Sequence, residues 1–361
     1  MAKIELRDLH HSYASQETDS GFAIRDLNLT WEDGSANALL GPSGCGKTTL
    51  LNIISGLLRP SSGQVLFDGV DVSQLSTRDR HIAQVFQFPV VYDTMTVFDN
   101  LAFPLRNRRT GEREVRARVA EIAELLDLGG VLTRSAGRLN PAQKQVVSLG
   151  RGIVRKDTAA VLLDEPLTVI DPVLKLDLRR KLRSIQQELN MAMIYVTHDQ
   201  HEALTFADWV TLMDRGKVIQ SASPEALFLN PQTPFVGFFI GSPGMNMMRC
   251  EVSGQRTRIK GSPLEVPEII AARVRSVAGA IDLGIRPEFV ETSTKPKAEW
   301  NVFSLQAVDH AGSYQVLTLK SGQLRIKARV DDQFEATEAD RIWVRFPPEN
   351  VKIYEDGELI P

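Results

Sequence analysis

The residues able to do chemistry fall in a few short stretches. The first, Gly41-Pro42-Ser43-Gly44-Cys45-Gly46-Lys47-Thr48, reads G-x-x-x-x-G-K-T. The apolar run Ala38-Leu39-Leu40 leads into it, and Thr49-Leu50-Leu51-Asn52-Ile53-Ile54 follows with the composition of a helix start. Strand, glycine-rich turn and helix is the context a phosphate-binding loop requires, because N–H groups of the turn and the first helical turn converge on a phosphate. In that reading Lys47 neutralises the β- and γ-phosphates of a nucleotide and the Thr48 hydroxyl holds Mg2+. Thr49 belongs to the same nucleotide-contacting run. A chance match in a glycine-rich loop is the alternative.

The second stretch, Val161-Leu162-Leu163-Asp164-Glu165, ends an apolar run on two carboxylates. A carboxylate at the end of a buried strand reaches a cation beside a phosphate loop, which assigns Asp164 to Mg2+. Glu165 points elsewhere and polarises the attacking water; one carboxylate is neutralised by the metal, so a second must remain basic. A charged strand end before Pro166 is the plain alternative. His198 closes the apolar run Met191-Ala192-Met193-Ile194-Tyr195-Val196. Its ring either bonds the γ-phosphate and orients the water or belongs to a solvated turn. Gln87 ends Ile82-Ala83-Gln84-Val85-Phe86, 40 positions after Lys47, and senses Mg2+ or the water from another strand end. Tyr13 either stacks on adenine or joins the core.

The elements that must position these residues follow from pattern. The 361 residues suffice for two or three domains, and 43% hydrophobic with 24% charged is an ordinary globular composition. A formal net charge of −3 carries no nucleic-acid footprint. The two cysteines, Cys45 and Cys250, lack metal-ligand spacing, which fits a reducing compartment and excludes a disulfide scaffold. The N-terminus does not read as a secretion signal, and no apolar run is long enough to span a bilayer. A membrane is therefore expected to be reached only through a partner.

An α/β domain is expected first. Ile4 to Tyr13 reads as a strand, and Phe22-Ala23-Ile24 with Leu27 to Thr30 as a strand pair after a polar loop at 14–21. Residues 88–157 change character. Val115, Val119, Ile122 and Leu126 keep helical spacing, and a second helix begins behind Pro141, so this span reads as a helical insertion. Ala159 to Leu163 is a wholly apolar strand of the kind buried in a parallel sheet. Asp171-Pro172 opens a helix to about Asn190, and a small helix from Pro224 to Leu229 closes the domain. Residues 230–248, rich in Pro, Gly and Asn, mark a boundary. Short alternating segments beyond it predict a small β-barrel, with the five-stranded open type as the candidate form.

Together these residues resemble an ATP-binding cassette (ABC) subunit, of the kind that serves as the ATPase of bacterial carbohydrate importers. Gly41 to Thr48 matches Walker A, and Val161 to Glu165 matches Walker B with its catalytic glutamate. Gln87 lies at the Q-loop position, His198 at the switch histidine, Tyr13 at the adenine-stacking position and Leu167 to Asp171 at the D-loop. Gly284-Ile285-Arg286-Pro287-Glu288 is similar to the accessory domain of the maltose-importer type. The resemblance implies a P-loop NTPase ABC ATPase domain at 1–238, with a helical subdomain at 88–157. It implies an OB-like regulatory or accessory domain at 239–361, which strengthens pairing, accepts a regulatory protein or merely stabilises the chain.

It also implies ATP and Mg2+ as cofactors, two membrane permease subunits, a second ABC ATPase subunit and, indirectly, a periplasmic substrate-binding protein. The place implied is peripheral, on the cytoplasmic face of the bacterial inner membrane. In the family each ATP lies between one subunit's Walker motifs and the other's signature, Leu-Ser-Gly-Gly-Gln, so Asn140 and Gln143 would contact the partner's nucleotide. Here that position reads Leu139-Asn140-Pro141-Ala142-Gln143. Pro141 has no N–H, and Ala142 keeps its N–H but loses glycine's freedom. Val169 stands where the family has asparagine.

These departures imply a heterodimer with unequal sites, though a homodimer stays open. Residues 83–97 and the altered signature resemble the glycerol importer of Gram-negative bacteria, implying glycerol or a related polyol or sugar as cargo. Two alternatives remain: a weakly hydrolysing regulatory subunit, and a non-transport cassette ATPase. The last would carry coiled-coil insertions, a second cassette or a basic surface, none of which is seen in the sequence.

Overall fold

The computed structural model describes residues 2–13, 22–253, 256–275, 279–336 and 341–360, which divide into two units, 1–224 and 225–361. In the first unit, β1 (Ile4–Ser12) and β2 (Phe22–Trp31) pair antiparallel, and β3 (Ala36–Leu40) runs through loop 41–46 into α1 (Lys47–Ser55). With β4 (Ser62–Phe67) and β5 (Val70–Asp71) the first two strands form a sheet of order β2-β1-β4-β5. The chain continues through β6 (Ile82–Val85) into three helices, α2 (Val97–Arg106), α3 (Glu112–Leu125) and α4 (Pro141–Ile153). It returns as β7 (Ala160–Asp164), α5 (Pro172–Glu188), β8 (Met193–Thr197), α6 (Gln200–Phe206), β9 (Trp209–Asp214) and β10 (Lys217–Ala222). A second sheet has the order β10-β9-β3-β8-β7-β6, parallel except at the β10–β9 pair.

Every residue of β3 and β8 is buried, which explains why these strands read as unbroken apolar runs. Their register decides the site. Leu40 pairs with Thr197, and Asp164 pairs with Val196. The carboxyl ends of β3, β7 and β8 therefore finish level, and Gly41, Glu165 and His198 leave the sheet at one edge, where open parallel sheets bind ligands. The helix carrying Lys47 is secured at its other end. The buried Arg80 guanidinium donates to the carbonyls of Ile53 (2.6 Å) and Ile54 (2.9 Å), and to those of Ser73 (2.9 Å) and Leu75 (3.2 Å). Arg80 thus supplies donors to carbonyls of the last turn of α1, where Ile53 O also accepts the Gly56 N–H at 3.2 Å.

Local differences from the sequence reading have local causes. Phe22 to Trp31 is one strand rather than two; Asp26 takes a φ of +44° and bends it without ending it. The polar loop at 14–21 lies outside the described residues. Helix α2 was not anticipated, because Pro104 interrupts its pattern; Thr96 caps it by accepting the Asp99 N–H at 3.0 Å. Among the described residues no helix is long and apolar enough to cross a membrane.

The second unit contains α7 (Pro224–Leu229), α8 (Pro234–Phe239), β11 (Asn246–Ser253), β12 (Arg256–Ile259), α9 (Glu268–Arg275), β13 (Ile281–Ile285) and β14 (Glu291–Ser293). Then come β15 (Asn301–His310), β16 (Tyr314–Ser321), β17 (Leu324–Asp331), β18 (Arg341–Arg345), β19 (Lys352–Glu355) and β20 (Glu358–Ile360). Two five-stranded sheets result, β12-β11-β13-β19-β20 and β14-β18-β15-β16-β17, where the sequence suggested five strands in all. Met248, Ile285, Phe303, Leu317, Ile342 and Ile353 belong to their shared core.

The second unit begins at Glu225, at the start of α7, whereas composition marks 230–248 as the boundary and the resemblance implies a division after 238. The buried Arg286 guanidinium explains the difference. It donates to Phe228 O (2.6 Å), Leu227 O (3.4 Å), Gly237 O (3.4 Å) and Ile240 O, and lies 3.9 Å over the Phe228 ring. Both short helices are thereby tied to the end of β13. Burial pulls the Arg286 pKa down to about 10.

Candidate nucleotide site

Loop 41–46 needs its glycines. Gly41 has a φ of +155° and Gly46 of +107°. A Cβ at Gly41 would meet the Met213 carbonyl and the Cys45 sulfur, and one at Gly46 would meet the Ala23 carbonyl. Gly44 also has positive φ, and Pro42, Ser43 and Cys45 complete the turn. Helix α1 starts at Gly46 without a side-chain cap, so no side chain competes for the N–H groups of its first turn. Lys47, 6% exposed, extends its ammonium back over the loop, donating to Gly41 O (2.8 Å) and Pro42 O (2.9 Å). Its Nζ lies 3.7 Å from the Cys45 sulfur, whose thiol pKa is pushed up by burial against the pull of Lys47.

Thr48 Oγ1 lies 3.4 Å from Asp164 Oδ1. Burial, and then the Glu165 charge, raise the Asp164 carboxyl above its ordinary range, with Thr48 and Lys47 acting against them. A carboxylate so desolvated gains from a cation, and two hard oxygen donors suit Mg2+. Among the described residues no group of three or more His, Cys, Asp or Glu side chains gathers around a metal position. A cation at Thr48 and Asp164 would therefore complete its shell with phosphate and water oxygens, as Mg2+ at a nucleotide does.

Glu165 takes a φ of +44°, a strained value for a residue with a Cβ that costs about 1–3 kcal/mol. The two carboxylates have different partners as a result. Asp164 faces Thr48, whereas Glu165 faces His198 Nδ1 (3.0 Å), Thr168 Oγ1 (3.2 Å) and Gln87 Nε2 (3.4 Å). Three separate segments thus hold one carboxylate. Thr168 was missed as a contact, although a hydroxyl three residues after a strand-end carboxylate is the available signal.

Tyr13 does not join the core. It is 66% exposed, with its hydroxyl 3.2 Å from Thr49 Oγ1 and its ring edge-on to His11 at 4.7 Å. Asn140 and Gln143 stand apart from this cluster. They cap α4 reciprocally: Asn140 Oδ1 accepts the Gln143 N–H at 2.8 Å, and Gln143 Oε1 accepts the Asn140 N–H at 3.2 Å. Both line a different cleft of about 410 Å³, with Leu128 and Leu174. A larger cleft of about 1020 Å³ is lined by Arg78, His81, Arg108, Arg109, Arg151 and Arg155, at the side of α2.

Residues 24–168 match the family described as ABC transporter, and residues 241–290 match the MalK OB fold domain. The chain is 38% identical over 316 residues to the sn-glycerol-3-phosphate import ATP-binding protein UgpC of Rhodopseudomonas palustris, covering 86% of this chain and 81% of that one. It is 34% identical over 365 residues to the uncharacterized ABC transporter ATP-binding protein YurJ of Bacillus subtilis, covering 98% of each. Among solved structures, cbiO1 from Clostridium perfringens, part of the ABC transporter complex cbiONQ, superposes with a TM-score of 0.57 at 28% identity, over 63% of this chain and 90% of that one. A dimeric post-hydrolysis ATP-binding cassette bound to ADP and Pi gives 0.55 at 26% identity, over 61% and 98%. The chain belongs to the ABC transporter ATP-binding proteins: it is an ATP-hydrolysing transporter subunit that uses ATP with Mg2+ and carries an OB-like second domain of the MalK type.

Proposed function

We propose that this subunit powers import of sn-glycerol-3-phosphate or a related polyol or sugar, with Glu165 as the base that activates water. The observation that carries the catalytic reading is the Glu165 carboxylate held by Gln87, Thr168 and His198 beside the Thr48–Asp164 pair. Bound Mg2+-ATP supplies the reacting phosphoanhydride and the cation that spreads its charge. The glycine-rich loop N–H groups and Lys47 bind the phosphates. Thr48 and Asp164, with Gln87 nearby, hold the cation, and Tyr13 stacks on adenine beside Thr49. Glu165 takes the proton from the attacking water, and His198 and Gln87 keep its carboxylate aimed.

The cargo is argued from the UgpC relatives, whose names specify sn-glycerol-3-phosphate import. Glycerol, implied by the sequence resemblance, belongs to the same polyol class. The partners are two permease subunits, a binding protein delivering cargo, and a second cassette subunit, on the cytoplasmic face of the bacterial inner membrane. The arginine-lined cleft beside α2 suits a permease loop, through which the helices of 88–157 transmit closure.

The pair is a heterodimer with unequal sites. At the α4 N-terminus the N–H groups of Asn140 and Gln143 are taken by each other's side chains and Pro141 has none, so this turn offers a phosphate fewer donors than glycines there would. The site this chain completes for its partner is therefore the weaker one.

The test is uptake by the purified complex in vesicles with its binding protein. Labelled sn-glycerol-3-phosphate or glycerol should accumulate, and each cargo should stimulate hydrolysis in proportion to its uptake. Cargo-independent hydrolysis with no uptake of either would overturn the assignment.

A further inference from the structure

We infer that Glu202 is a positioning residue that aims His198 at Glu165 and braces that aim against the start of α5. Glu202 is 5% exposed. Its Oε2 accepts the Thr197 hydroxyl at 2.8 Å and the Tyr195 hydroxyl at 3.0 Å. The Thr197 oxygen in turn accepts the Asp199 N–H at 3.0 Å. His198 lies between those two residues, so one chain of hydrogen bonds from Glu202 fixes the backbone on both sides of it. Asp199 closes the same turn, its Oδ1 accepting the N–H of His201 (2.7 Å) and of Glu202 (3.4 Å). The His198 side chain is 56% exposed, so packing alone does not hold its ring and the turn must do so.

The other carboxylate oxygen reaches a second element. Glu202 Oε1 lies 3.7 Å from Lys175 Nζ, in the first turn of α5. Asp171 caps that helix by accepting the Val173 N–H at 2.9 Å, and the segment just before it contributes the Thr168 hydroxyl to Glu165. Two of the three segments that hold Glu165, the Thr168 segment and the His198 turn, are therefore joined behind the site by Lys175–Glu202. A carboxyl group is costly to bury, and an apolar side chain would serve mere packing better. The Tyr195 phenol, raised by burial and then by Glu202, stays a fixed donor.

The inference rests on the role proposed for His198, and the test separates the two. ATP hydrolysis by the full chain, purified with its membrane partners, is measured against ATP concentration for His198→Ala, Thr197→Val, Thr197→Ser, Tyr195→Phe and Glu202→Gln. Thr197→Val and Glu202→Gln should lower kcat about 10-fold, as misplacement of a reacting group does, with KM for ATP little changed. Thr197→Ser, which keeps the hydroxyl, should restore the rate. Tyr195→Phe loses a buried hydrogen bond to the same carboxylate without touching the turn, so it should lower Tm as Thr197→Val does and keep kcat. A slow His198→Ala with a fast Thr197→Val would overturn this inference alone, and so would equal kcat losses in Thr197→Val and Tyr195→Phe. A His198→Ala enzyme at full rate would overturn the role of His198 and this inference with it.

Discussion

His198 Nδ1 lies 3.0 Å from Glu165 Oε1, although the two residues follow different strands and stand 33 positions apart. The imidazole donates to the carboxylate, so the basic oxygen is oriented. Glu165→Gln keeps the shape and removes the basicity. Hydrolysis is expected to fall about 10²–10⁴-fold, the worth of a positioned base, with ATP binding retained. Phosphate release and equilibrium nucleotide binding measure the two separately; a variant that still turns over at the parent rate would remove Glu165 from the chemistry.

Lys47→Ala tests the phosphate loop. The ammonium, held on Gly41 and Pro42, is the buried cation of the loop. Hydrogen bonds to charged groups contribute roughly 1.5–3 kcal/mol, so the Kd for ATP should rise about 10–150-fold. Calorimetric titration reads this directly, and an unchanged Kd would contradict the assignment of the loop.

Restoring the signature tests the unequal sites. Asn140→Ser, Pro141→Gly and Ala142→Gly together return an N–H at 141 and glycine's freedom at 142, while serine preserves a cap. Hydrolysis by the assembled pair should rise, at a stability cost of about 1 kcal/mol for each glycine placed in the helix. If the rate stays where it was, the unequal-site reading loses its ground.

Asp157 gives a pH-dependent test in the arginine-lined region. Burial raises its carboxyl, but Arg155, His81 and Arg108 outweigh that and leave its pKa below the ordinary value. A folded pKa below the unfolded one contributes stability that is present above the ordinary carboxylate range and lost as pH falls through the folded value. Because the side chain is 42% exposed, Asp157→Asn should cost only about 0.5–1 kcal/mol near neutral pH. Urea denaturation should show the gap between the two proteins closing on acidification. A gap that persists in acid would mean that Asp157 acts through packing instead.

Much of the site was legible because its determinants are local. The phosphate loop declares itself within eight residues, since the glycines at 41 and 46 answer clashes with backbone that comes close to the turn. Helix α5 could be read from Asp171-Pro172, and the buried strands from their apolar runs. Helix α2 could not, because Pro104 breaks the period that tertiary packing restores. The second unit's boundary was also hidden, since it depends on one buried arginine at 286 reaching back to carbonyls between 227 and 240.

Sequence alone determined which side chains were available: a lysine and a threonine behind a glycine turn, two carboxylates, a histidine and a glutamine. Tertiary structure decided which of them meet. Parallel pairing of β3, β7 and β8 set one common edge, and the positive φ at Glu165 turned adjacent carboxylates toward different partners. It also kept Asn140 and Gln143 away from Lys47 within this chain. The physical reason is range. Turn, cap and period are encoded by hydrogen bonds a few residues apart, whereas the contact of Gln87 with Glu165 spans 78 positions and exists only once the sheet has chosen its register.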